Sequence, residues 1–110
     1  MRHLITHLGC APAIILVCGA DVYPPGAPDK SFLYSALYSA AQNLLVAARA
    51  LGLAAAYTML HKLAEPAIRA LLAILDEITI GVTMPVGWPA RPFGAIVRKP
   101  IPEVLHRDRW

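Results

Sequence analysis

The stretch SFLYSALYSAAQNLLVAARALG, residues 31–52, decides how the chain folds. Its polar residues Ser35, Ser39, Gln42 and Arg49 stand at i, i+4, i+7 and i+14, one narrow stripe on a helix of about 3.6 residues per turn. Nearly every other position is Ala, Leu, Val or Tyr. A helix that is apolar around most of its circumference needs cover on several sides. The spacing predicts a helix over residues 31–51, about 32 Å long. Ser31 is placed as its N-cap and Gly52 as the left-handed residue past its end, with Leu53 the apolar residue beyond. Ala36, Ala40, Ala41, Ala47 and Ala48 are small enough to let another helix approach closely.

Upstream, residues 1–10 read as a short amphipathic helix with Leu4, Ile5 and Leu8 on one side. Residues 13–18, AIILVC, are apolar without alternation and predict a strand covered on both faces. Arg2, His3 and this apolar run resemble a signal peptide, but Pro12 opens the run and a buried strand accounts for it better. Residues 19–30, with Pro24, Pro25, Gly26 and Pro28, form an irregular loop.

Downstream, residues 54–59 are short and apolar and lead through Leu60, His61 and Lys62 into a second helix. Pro66 suits its first position, with Ile68, Leu71 and Leu72 as its buried face. Residues 78–86 alternate Ile78, Ile80, Val82, Met84 and Val86 with Thr79, Gly81, Thr83 and Pro85, a strand of period two. Residues 87–92 break it, and 93–110 form an extended, proline-spaced tail. The order of helix, strand, long helix, helix, strand and tail gives an α+β fold in one domain, residues 1–110.

Composition narrows the function. Of 110 residues 57% are hydrophobic and 15% charged, against roughly 25% charged in an average soluble domain. Disorder is excluded, and no stretch recurs as a repeat. The surplus of apolar residues implies surface kept for a partner subunit. The net charge of +3 forms no nucleic-acid footprint, because the one basic cluster, Arg91 to Arg109, is interrupted by prolines, Glu103 and Asp108. Residues 36–60 reach the ~20 apolar residues that a bilayer requires. Arg49, Gln42 and Asn43 inside them are costly in lipid, so no membrane span is expected. Cys10 and Cys18 lack C-x-x-C spacing and read as buried thiols that imply no oxidising compartment, as in a cytoplasmic protein.

His3, His7 and Cys10, at i, i+4 and i+7, would share a helix face as metal ligands do, but no fourth ligand follows and a solvated face is expected. His61 reads as a solvated loop histidine and Trp88 as a packing residue at a turn. No phosphate-binding glycine loop, nucleophile elbow or zinc-protease motif is present in the sequence.

Three blocks resemble the FMN-dependent nitroreductase family. QNLLVAARALGL, residues 42–53, is similar to its long-helix signature. PVGWPA, residues 85–90, resembles its "P-L-G-Y-P" strand end. RKP at 98–100 with EVLHRDRW at 103–110 resembles its "R-x-P-x-x-E-V-V-H" tail. Their order and spacing agree from about Leu4 to Trp110. The resemblance implies a nitroreductase-like α+β fold with a long central helix, and a homodimer with FMN at each interface. It also implies hydride transfer from NADH or NADPH to a nitro or quinone-type acceptor. Thr58, Met59 and Leu60 match the segment along the flavin ring, and Arg98 the tail residue that meets the FMN phosphate. Lys99 adjoins Arg98, Ile96 stands where relatives carry a lysine, and Leu75 where they commonly carry a proline. The family's N-terminal, arginine-rich phosphate grip has no counterpart here, so the chain reads as the C-terminal half of such an enzyme, colourless by itself. A cofactor-free protein that dimerises through residues 32–51, or a small membrane-associated one, is the other reading of the same helix.

Overall fold

Strand β3 (Ile78–Gly87) is the middle of a three-stranded antiparallel sheet ordered β1–β3–β2, between β1 (Ala13–Ala20) and the two-residue β2 (Ala54–Ala55). The computed structural model describes the backbone of residues 2–110 and the side chains from residue 4 onward. The alternation expected in β3 is met: Ile80, Val82 and Met84 are fully buried. Because β3 is central, the intervening Gly81, Thr83 and Pro85 are buried as well.

Helix α2 (Lys30–Ala50) lies across the sheet, with Ala41 against Val82 and Met84, and Val17, Leu45 and Ala55 around them. It comes closest over a bulge. Val17 pairs with Val82 and Cys18 with Ile80, so Gly81 is the extra residue. A Cβ on Gly81 would stand 2.6 Å from Leu37 Cδ1. Glycine there admits the helix.

The ends of α2 follow from local hydrogen bonding. The cap is Asp29 and not Ser31: the Asp29 carboxylate accepts the Ser31 N–H at 2.8 Å, which satisfies a donor the helix cannot. That bond also holds the Asp29 carboxyl below its usual pKa. At the other end Gly52 takes φ 76°, as expected, while the Leu53 N–H reaches the Ala48 carbonyl at 2.9 Å.

Cover for the apolar faces is thinner than the sequence implies. Only Leu37, Ala41 and Ala48 of α2 are buried, and Val46 and Leu51 are 59% and 72% exposed, because the sheet reaches one side of the helix. The strand expected at 13–18 extends to Ala20 but is an edge strand, and Ile14 and Ile15 are exposed instead of covered. In α3 (Glu65–Leu72) Pro66 is the second helical residue, not the first. Ile68 is half-buried, but Leu71 is 83% exposed and Leu72 also lies open, since no layer of these residues covers that helix. Arg69 ties α3 to the sheet by donating to Glu65 and to the carbonyls of Leu75 and Ile78.

Helix α1 (Arg2–His7) runs into a 3-10 turn at Leu8–Cys10. The tail is extended and exposed except for a 3-10 turn at Ile101–Glu103. Trp88 at its start is exposed, not packed, because the chain has left the sheet there.

Candidate functional site

The segment between β2 and α3 is held to the sheet through Thr83. Beyond Ala55 the ladder weakens at Pro85, whose carbonyl accepts the Ala56 N–H at 3.2 Å while its own nitrogen has no hydrogen to return. Two residues on, pairing resumes in full. The Thr58 N–H donates to the Thr83 carbonyl at 3.1 Å, and the Thr83 N–H to the Thr58 carbonyl at 2.9 Å. The Thr58 hydroxyl adds a bond to the Thr83 carbonyl at 2.8 Å, and the Leu60 N–H makes a long one of 3.4 Å to Thr58 Oγ1.

A 3-10 turn at Leu60–Leu63 then brings His61 back against β3. His61 is 1% exposed and its Nδ1 lies 2.8 Å from Thr83 Oγ1. The expectation of a solvated loop histidine is therefore corrected. The turn directs the ring inward, and Thr83, a small polar residue 2% exposed between larger neighbours, leaves room for it. Nothing in the spacing of the sequence announces this pair, because 22 residues separate the two partners.

Burial is the main reason that the His61 pKa lies below its ordinary value. The neighbouring Lys62 and Arg69 cations push the same way, while Glu65 and the Ile80 carbonyl oppose them. Nε2 of His61 is buried and makes no hydrogen bond among the described residues. His61 and Thr83 form the polar part of an apolar cavity of about 440 Å3 between α1, β1 and α3, walled by Ile5, Leu16, Leu60 and Ile68 among others.

Of the residues expected to meet a flavin, Thr58 and Leu60 are half-buried and Met59 is 43% exposed, all consecutive beside the sheet. Among the described residues Arg98 makes no hydrogen bond or ion pair with them. It lies exposed on the tail and donates to the Val97 carbonyl at 3.2 Å. The segment fits the edge of a flavin ring in kind. The Met59 N–H has no backbone acceptor among the described residues, and that of Leu60 is weakly bonded. The cations that follow this segment, Lys62 and Arg69, are both paired with Glu65.

The side chain of His3 lies outside the described residues. His7 lies 2.8 Å from Thr6 Oγ1 through its Nδ1; Cys10, at the end of the 3-10 turn, is exposed and not the buried thiol expected, while Cys18 in β1 is half-buried. Among the described residues no group of three His, Cys, Asp or Glu is arranged to hold a metal, and no helix is long and apolar enough to cross a membrane.

No protein-family model matches the sequence, and no curated protein does. The fold does have a relative among solved structures. A candidate NADH dehydrogenase/NAD(P)H nitroreductase from Parabacteroides distasonis superposes with a TM-score of 0.71 at 25% identity, over 91% of this chain and 57% of that one. The fold is thus nitroreductase-like, and the chain spans a little over half the length of that relative.

Proposed function

We propose that these residues belong to a cytoplasmic, FMN-dependent oxidoreductase of the nitroreductase type, which passes a hydride from NADH or NADPH to a nitro or quinone-type acceptor. The observation that carries this reading is the superposition of 91% of the chain on the Parabacteroides protein. When bound, FMN supplies the hydride chemistry, and the protein binds and orients it. Thr58, clamped to Thr83, fixes the peptide that presents the Met59 and Leu60 N–H groups to the ring edge. Arg98 meets the phosphate, to which a guanidinium fork is suited. Arg98 is exposed and bonded, among the described residues, only to its neighbour's carbonyl, and in a homodimer the tail of a second copy brings it to residues 58–60. The open face of α2, with Phe32, Leu44 and Val46 exposed, supports such a dimer. Two free cysteines suit the cytoplasm.

Titration of the purified chain with FMN and with riboflavin, followed by quenching of flavin fluorescence, tests this reading. The expected result is saturable binding of both, weak enough that the protein purifies colourless. No saturable binding at millimolar flavin overturns it, and a dimer without such binding is the cofactor-free alternative.

A further inference from the structure

We infer that His61 is a positioning residue: through Thr83 it fixes the 58–60 peptide at the spacing and tilt that a ligand on that edge meets. This rests on the flavin reading of the segment. The geometry is specific. Between β2 and α3 the chain is pinned to β3 by one fully bonded residue pair, Thr58 and Thr83, because Pro85 cannot donate to Ala56. A single pair leaves a peptide free to pivot about it. The pivot is stopped on the C-terminal side by His61, whose ring is buried and bonded to the hydroxyl of the same threonine. Thr83 thus holds the segment at two points three residues apart, its backbone and carbonyl on Thr58 and its side chain on His61. Met59 and Leu60 are the residues between them.

The ring is suited to this in its neutral form. Nδ1 is bonded to Thr83 and Nε2 makes no hydrogen bond among the described residues, so the charged ring would lose its hydration with only the Ile80 carbonyl and Glu65 to favour it. The groups packed around it are the charged Lys62, Glu65 and Arg69 from its own turn and α3, the Ile80 carbonyl from β3, and the uncharged Ile5 and Leu16 from α1 and β1.

The test compares His61→Leu, His61→Gln, Thr83→Val and the double variant His61→Leu/Thr83→Val. Residue-resolved amide exchange at Thr58, Met59 and Leu60 is measured in the chain without ligand, and riboflavin affinity by fluorescence. His61→Leu and Thr83→Val should each speed exchange of the Thr58 amide and weaken riboflavin by about tenfold, a change of ~1.4 kcal/mol. The double variant should be no worse than either single one. His61→Gln, which can still bond the hydroxyl, should recover most of both, with exchange of Ile80 and Val82 unchanged throughout. Additive effects, or a Thr83→Val chain with unchanged Thr58 exchange, overturn the inference. If wild-type protein binds no riboflavin while the exchange pattern appears as stated, the flavin reading falls and the His61–Thr83 clamp stands.

Discussion

The guanidinium carbon of Arg49 stands 3.4 Å above the centroid of the Phe93 ring. This pair joins the last turn of α2 to the first residues of the tail, which otherwise lies open. The cation also sits where the helix carbonyls favour it. Arg49, a residue costly in lipid, thus finds a partner inside its own chain. A double-mutant cycle of Arg49→Met with Phe93→Leu should give a coupling of about 0.5–1 kcal/mol in urea melts. A coupling of zero would mean that the ring contact contributes nothing to holding the tail.

Gly81 is the tightest point of the core. An added methyl there meets Leu37 at both Cδ1 and Cβ, 2.6 and 3.1 Å away, and Leu37 is itself buried. Gly81→Ala should therefore destabilise the fold by about 1–3 kcal/mol, the usual cost of overpacking. Gly94→Ala, with nothing within 4 Å of the new methyl, serves as the control. Equal urea midpoints for the two variants would contradict the close approach of α2.

Protonation of His61 should cost stability in acid. Its folded pKa is lowered by burial, so the unfolded chain takes up the proton first, near the ordinary value of about 6.5. In the window below that value the unfolded state binds more protons, and stability falls as pH falls until the lowered folded pKa is reached. Melting temperature against pH should show this loss in wild type and lack it in His61→Gln. Identical profiles would remove His61 as the source.

The apolar faces of α2 and α3 should drive self-association. Phe32, Val46, Leu51, Leu71 and Leu72 are 49% to 83% exposed, an amount of open apolar surface uncommon in a monomer. Sedimentation equilibrium should give a mass above 11.8 kDa. A well-behaved monomer at that mass would count against the dimer.

Arg98→Ala should weaken FMN by about 1.5–3 kcal/mol, the range for a hydrogen bond to a charged group. Riboflavin, which has no phosphate, should be unaffected. Loss of both ligands alike would place Arg98 in the fold of the tail instead of at the phosphate.

The elements whose faces the sequence itself balances were legible in it. The alternation of residues 78–86 marks a strand with Ile80, Val82 and Met84 in the core, and Gly52 marks the end of α2. Caps and packing partners were harder. Asp29 and Ser31 are both good caps, and only the loop geometry chooses between them. Leu71 and Leu72 have helical spacing but nothing above them, because periodicity reports which face is apolar and not what covers it. The His61–Thr83 pair was invisible, since it depends on a turn and a strand that meet only in three dimensions.

Pro85 has a consequence for how β2 finds its place. Ala54, Ala55 and Ala56 are identical in size, so side-chain fit cannot tell one alignment along β3 from another. The proline can. In the native alignment its missing donor falls opposite Ala56, which already gives its own N–H to the Pro85 carbonyl. A slip of two residues would set Thr58 against Pro85 and take away one of the two backbone bonds that Thr58 now shares with Thr83. A slip of one would turn every side chain of the segment to the opposite face. The imino acid acts as a registration mark: by what it withholds, it leaves the native alignment as the one in which no better hydrogen bond is given up.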